Sequence, residues 1–245
     1  MKNYLDKART EFFSVIAKKN LLDEQISIEA RVLTPEESIG HPERDDFPLL
    51  KGKERIIEAK FKKSIGHVFT DSPGFYKGTL QQILNRPLKN NFDRAILIAS
   101  INAVMRHLGL IKGTIHCKDN EPEKCAKKLA AWLIKHYPDR DRIALLGFQP
   151  AFIETLLKEF SLNVLDLDKD NLGEKYGIHV FNSLEFYQSI LRWADMALVT
   201  GTVFVNGTIE NIARAKPLQD IIFYGVTVSG LARLLDLKRV CFCSK

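Results

Sequence analysis

From Arg142 onward the chain alternates short apolar runs with amphipathic stretches, and no other feature of the sequence constrains the fold as much. RIALLG, LNVLDLD, MALVTG, DIIFYG and RVCFC read as strands, while AFIETLLKEF, SLEFYQSILRWA and TIENIARA carry apolar residues at helical spacing. Near-continuous apolar strands joined by helices predict a mainly parallel sheet covered on both faces, because helical crossovers are what connect neighbouring parallel strands. The expected class is α/β, with a Rossmann-like C-terminal sheet.

The first part of the chain reads differently. Residues 3–19 suit an amphipathic helix with Leu5, Ala8, Phe12, Val15 and Ile16 on one stripe. Strands are expected at 25–33, 55–62 and 66–70, the last after a turn at Ser64-Ile65-Gly66, followed by a short helix at 79–85. Together these make a small α+β unit that ends near Pro87. DRAILIASINAVMRHL, residues 93–108, is apolar on nearly every side and stops at Gly109, as a buried helix would. Asn102 inside it needs a hydrogen-bonding partner, either backbone or ligand. A strand at 113–117 and a helix from Pro122 to about Tyr137 are expected next.

Composition narrows the setting. No apolar run approaches the roughly 20 residues of a membrane helix, and the start, MKNYLDKARTEFF, is charged and amphipathic, so a cytoplasmic protein is expected, with no membrane partner. Residues 1–141 hold 25 Lys/Arg against 19 Asp/Glu, and residues 142–245 hold 11 of each. Much of the excess lies in KGKERIIEAKFKK, where acids interrupt the cations and no aromatic residues interleave for base stacking, so it reads as a solvated strand face and no nucleic-acid partner is expected. The four cysteines lack the C-x-x-C spacing of structural zinc sites, and reduced thiols are expected. Homo-oligomerisation stays open.

Ligands of open parallel sheets bind beyond the carboxyl ends of the strands. There the sequence places Gly147-Phe148-Gln149-Pro150, then Asp166 and Asp168, then TGTVFVNGT, then Gly225-Val226-Thr227. Gly147 lacks the further glycines of a dinucleotide fingerprint and Pro150 removes an amide donor, which argues against ordinary NAD use. Asp166, nineteen positions on, would accept from a ligand hydroxyl or amine, or simply face water. Thr200, Gly201 and residues 206–208 offer backbone N–H groups and oxygens to an anionic moiety, or cap the next helix. In TIHCKDNEPEKC, His116 is the candidate acid–base group because imidazole changes charge near neutral pH. Cys125 falls on a helical core stripe with Leu129, Trp132, Leu133 and His136, whereas Cys241 and Cys243 end a strand far along the sequence, so no shared metal site is expected.

HPERDDFPLLKGKERIIEAKF, FTDSPGFYKGTLQQIL, NAVMRHLGL with TIHCKDNEPEKCA, VTGTVFVNGTIE and YGVTVSGLA together resemble, in order, the putative heavy-metal chelation family. The resemblance implies an enolase N-terminal-like domain at 1–90 and a Rossmann-like domain at 91–245, taking helix 93–108 into the second. It further implies a site between the domains, acting in condensation or hydrolysis of a flavin-, pterin- or siderophore-like molecule. The expected cleft is lined by His116, Asp166, Thr200, Gly201, Asn206, Gly225 and Thr227, with Asp71 from the N-terminal unit. Its ligand is expected to be a polar, anionic small molecule. No cofactor is assigned. The rival readings are a metal-binding or metal-delivery protein and an adenosylmethionine-dependent methyltransferase.

Overall fold

The computed structural model describes residues 3–22, 27–51 and 54–245, and of residues 27–30 the backbone alone. Two sheets organise it. Strands β1 (Ser27–Val32), β2 (Arg55–Phe61), β3 (Ser64–Thr70) and β4 (Tyr76–Thr79) form an antiparallel sheet in the order β3-β2-β1-β4. Helix α1 (Tyr4–Ala17) buries Leu5, Ala8, Phe12 and Ile16 in the core and packs against the helix Ser229–Leu235. Helices α2 (Pro35–Ile39) and α3 (Leu80–Asn85) each begin with a reciprocal capping box, Thr34 with Glu37 and Thr79 with Gln82, which satisfies amide groups that a helix start leaves open. Of the strand expected at 25–33, Gln25 and Ile26 lie outside the described residues.

The turn between β2 and β3 falls at Lys62-Lys63, with Lys62 at φ 54°, earlier than the expected turn at 64–66. Gly66 is instead a strand residue pressed against helix α4 (Asn91–His107), where a Cβ would come within 2.4 Å of the Ala99 carbonyl oxygen. Helix α4 is buried from Ala95 to Met105, as its all-round apolar pattern requires. One side packs on β2 and β3, and the other meets α9 (Ser229–Leu235), where Gly230 abuts Ile101. Asn102 finds backbone partners on both sides. Its amide nitrogen donates to the carbonyls of His67, Val226 and Thr227 at 3.1–3.2 Å, and its oxygen accepts from Gly230 N–H at 2.7 Å.

Residues 113–117 are not a strand. Thr114 accepts from His67 N–H at 2.9 Å, and Ile115 and Lys245 exchange backbone hydrogen bonds at 2.8 and 3.0 Å. The segment is wedged between β3 and the chain end and never runs alongside either. Helix α5 (Glu121–His136) follows, with Cys125, Leu129 and Leu133 buried.

The second sheet comprises β5 (Arg142–Leu146), β6 (Ser161–Asp166), β7 (Gly173–Lys175), β8 (Ile178–Asn182), β9 (Met196–Thr200), β10 (Ile221–Tyr224) and β11 (Arg239–Val240). Their order is β11-β10-β9-β5-β6-β8-β7, and every neighbouring pair except β7 with β8 is parallel. Helices α6 (Pro150–Leu156), α7 (Ser183–Trp193), α8 (Ile209–Ala215) and α9 supply cover. The expected α/β class with a mainly parallel C-terminal sheet and a smaller α+β unit is therefore what the chain forms. The β7–β8 hairpin has no counterpart in the sequence reading. Its two-residue turn, Tyr176-Gly177, has φ of 53° and 75°, the positive pair of a type I′ turn, in a dipeptide without the usual Asn-Gly signature. Among the described residues no helix is long and apolar enough to cross a membrane.

Asn102→Ala would take this amide away from three buried carbonyls and one N–H, of which the Val226 carbonyl keeps its bonds from Ser229. Urea unfolding is expected to show a loss of about 3 kcal/mol. Ser14→Ala on the outer face of α1 should change stability by less than about 0.5 kcal/mol.

Candidate functional site

Strand β5 is central, with β6 on one side and β9 on the other, so the chain changes direction across the sheet at β5. At such a switch point the two departing loops leave a crevice. Gly147, after β5, and Thr200, after β9, face each other there. A Cβ on Gly147, whose φ is 103°, would lie 2.9 Å from the Thr200 methyl carbon and 2.7 Å from the Tyr224 hydroxyl. That hydroxyl donates to the carbonyls of Leu146 and Gly147, at 2.9 and 3.2 Å. A tyrosine thus fills the space over the first turn where a dinucleotide fold would seat a pyrophosphate, which gives a physical reason for the single glycine.

The crevice opens into a cavity of about 410 Å³ whose other wall comes from the N-terminal unit. Phe47, Leu49, Phe69, Phe148, Phe152 and Tyr224 give it apolar sides. The wall segment around Phe47 is fastened across the cleft. Arg44 bonds Asp46 at 2.6 Å and Glu154 of α6 at 2.8 Å, and Tyr176 of the β7–β8 turn donates to Asp46.

Of the residues expected here, His116, Asp71, Asp166, Thr200, Asn206, Gly225 and Thr227 all line this cavity. Gly201 does not. It is buried against Val228, where a Cβ would stand 2.7 Å from the backbone nitrogen, so its small size serves loop packing. Several of the others are already engaged. Asp166 accepts from Phe148 N–H at 2.6 Å, Asp168 N–H at 2.8 Å and the Asn171 amide at 3.2 Å, so it holds the loops after β5 and β6 in place. Thr227 accepts from Phe69 N–H at 3.1 Å and ties the two units together. Asn206 accepts from the N–H and hydroxyl of Thr208, forming a local turn. Asp71, exposed at the rim, accepts from Asn91 at 2.7 Å and Ser72 at 2.9 Å.

His116 is held from two sides. Its Nδ1 bonds the Ser38 carbonyl at 3.1 Å, which fixes the proton on Nδ1 and leaves Nε2 with a lone pair. Its backbone N–H donates to Nδ1 of His67 at 3.1 Å. His67 in turn presents Nε2–H to Glu58 at 3.2 Å, and Glu58 pairs with Arg31 at 3.3 Å. This buried Glu58–His67 pair positions the loop that carries His116, and nothing local in the sequence announced it. Burial, and behind it the nearby His67, pushes the His116 pKa down to about 4. The ring therefore stays neutral through the physiological range, contrary to the expectation that it changes charge near neutrality.

The group that does titrate there is Glu54, which in the sequence is only an interruption in a basic run. Its carboxyl lines the cavity without a hydrogen-bonding partner among the described residues. Burial first, then the charges of Asp166, Asp168 and Asp71, push its pKa up to about 7. Burial also raises Asp166, against the hydrogen bonds it accepts. Among the described lining residues there are four acidic side chains and no lysine or arginine.

The thiols are closer than their sequence positions imply. Cys117, Cys125 and Cys241 all line the cavity. The premise that Cys241 is remote from Cys125 is therefore corrected: β11 returns to the sheet edge beside α5. Even so, among the described residues no three His, Cys, Asp or Glu are placed to hold a metal ion.

Fold and cleft define a two-unit α/β protein whose smaller α+β part closes over the carboxyl edge of a Rossmann-like sheet. Residues 132–239 match the family model DUF364, described as putative heavy-metal chelation, so the resemblance to that family is shown over most of the parallel-sheet unit. A crystal structure of a DUF364-family protein of unknown function from Pyrococcus horikoshii is similar, with a TM-score of 0.55 and 15% identity over 91% of this chain and 79% of that chain. Another, from Desulfitobacterium hafniense, has a TM-score of 0.48 and 15% identity over 74% of this chain and 72% of that one. No curated protein matches the sequence.

If burial sets the His116 ring, its NMR resonances will hold steady between pH 8 and 5.5 and titrate near pH 4. The folded pKa lies below the ordinary 6.5, so the unfolded chain takes up the proton first. This group therefore costs stability progressively as pH falls from about 6.5 to about 4, an effect absent in His116→Asn.

Proposed function

We propose that the chain is a small-molecule enzyme that carries out acid–base chemistry, of the condensation or hydrolysis type, on a polar, ring-bearing substrate held in the cleft between its two sheets. The observation that carries this reading is Glu54: a carboxyl with no protein partner among the described residues, facing a ligand-sized cavity, with a proton affinity matched to neutral pH. Protonated, it donates to a leaving atom or carbonyl oxygen; ionised, it takes a proton from water or from the attacking group. Asp71, Asp166 and Asp168 favour the protonated form by their charge. His116 contributes a neutral ring whose Nε2, 4.0 Å from the Cys117 sulfur, accepts a hydrogen bond from the substrate. The aromatic sides suit a flat heterocycle of the flavin or pterin kind. The acidic lining favours a substrate that presents amino, ring N–H or hydroxyl donors to that end, leaving any anionic part to the backbone around Gly225 and residues 206–208.

Native mass spectrometry of freshly purified protein, then a thermal-shift screen of pterins, flavins and catechol- or hydroxamate-type chelators, identifies the ligand. Glu54→Gln is expected to keep its affinity within a few-fold and to lose at least about 100-fold in turnover. Unchanged turnover, or a ligand seated outside the cleft, would sink the assignment. Stability gives an independent check. The folded pKa of Glu54 lies above the ordinary 4.5, so the ionised form is disfavoured in the folded protein. At pH 8 Glu54→Gln should therefore be more stable than the parent by about 3 kcal/mol, and the difference should vanish as pH falls from about 7 to about 4.5.

A further inference from the structure

Apart from the cleft, the described residues form a second cavity of about 330 Å³, within the size range of small-molecule sites. Leu5 of α1, Leu88, Phe204 and Ile209 of α8 make its sides apolar, and Arg94 of α4 and Glu210 of α8 bring one charge of each sign to it. Both charged groups are held in place by neutral partners. The Arg94 guanidinium donates to the carbonyls of Val205 and Leu88 and to the Asn91 side-chain oxygen, one hydrogen bond from each of its nitrogens. A guanidinium has five N–H groups, so one on each terminal nitrogen keeps no partner among the described residues. Glu210 accepts from Tyr4 N–H at 3.2 Å through Oε1, and its Oε2 takes no hydrogen bond among the described residues. Nor does either group form an ion pair among those residues, with the other or with a third. The fold thus fixes a cation and an anion on one apolar cavity and neutralises neither. A ligand that carries both opposite charges beside an apolar group answers all of these features, whereas a ligand with a single charge leaves one protein charge desolvated and uncompensated.

We propose that this cavity binds a free α-amino acid with an apolar side chain as an effector. The carboxylate of the amino acid accepts from the remaining N–H groups of Arg94, its ammonium donates to Oε2 of Glu210, and its side chain lies against Leu88, Phe204 and Ile209. Arg94 also connects the site to the cleft. Two of its acceptors, Val205 and Asn91, line the larger cavity, and Asn91 in turn donates to Asp71 on the rim at 2.7 Å. A carboxylate drawn to Arg94 fixes the guanidinium and with it the loop after β9, so that occupancy of one cavity stiffens a wall of the other. The site uses neither Glu54 nor His116 and stands whether or not the acid–base reading of the cleft does.

Isothermal titration calorimetry on the whole, unmutated chain tests this with L-leucine and L-phenylalanine and with compounds that each lack one feature of leucine. L-Leucinamide lacks the carboxylate, isocaproate the ammonium, and glycine the apolar side chain. The two amino acids are expected to bind, and each of the three analogues at least about tenfold more weakly than leucine. Glu210→Gln keeps an oxygen for Tyr4 N–H and removes only the charge, and it should weaken L-leucine by at least about tenfold. Hydrogen exchange read by mass spectrometry should show L-leucine slowing residues 201–208 and 86–94, which carry the Arg94 contacts. No heat from either amino acid at about 10 mM, an analogue that binds as well as leucine, unchanged affinity in Glu210→Gln, or protection confined to other segments would overturn the proposal.

Discussion

The architecture depends on how closely helix α4 can approach the antiparallel sheet on one side and helix α9 on the other, and the hydrogen bonds of Asn102 fix that approach. A helix packed through large side chains stands well off its neighbours. Here Gly66 on β3 and Gly230 on α9 remove the side chains at both contacts. The backbones come close enough for one amide to reach carbonyls of β3 and of the loop after β10 together. An unpaired amide at this depth would be costly, so the contact is specific as well as tight. The cleft is a consequence, because the same bonds set the position of β3, and with it Phe69 and Thr70, over the carboxyl edge of the parallel sheet.

Within the cleft, one physical effect acts in opposite directions on two kinds of group. Removing water disfavours charge, so it keeps the imidazole of His116 neutral and keeps the carboxyl of Glu54 protonated to higher pH. The neighbouring acids strengthen the second effect. Asp166 acts on Glu54 through its charge, but its oxygens are occupied by loop amides, and its part is to shape the site and to charge it.

Much of the fold was legible in the sequence because its signals are periodic. Strand–helix alternation after Arg142 gave the parallel sheet, and the all-round apolar character of residues 93–108 gave a buried helix. The segments that were misread lack such periodicity. The extended run 113–117 looks like a strand but has only isolated backbone hydrogen bonds on either side instead of a ladder, and the hairpin at Tyr176-Gly177 uses a turn dipeptide with weak statistics. For the candidate site, the strand-end rule picked residues most of which line the cavity between the two sheets. It could not find Glu54 or the His67–Glu58 pair, whose roles come from charges and carbonyls distant in sequence. Nor could it see that Cys125 and Cys241 line one cavity, since that depends on where the last strand joins the sheet.

The clasp of Arg44, Asp46, Glu154 and Tyr176 has a consequence for kinetics. It holds the wall segment that carries Phe47 through ion pairs that are only partly shielded from solvent. Dissolved salt screens such pairs far more than it weakens the buried amide contacts of Asn102. The two walls of the cleft therefore differ in stiffness, one insensitive to ionic strength and one responsive to it. The residence time of anything bound between them is governed by the softer wall.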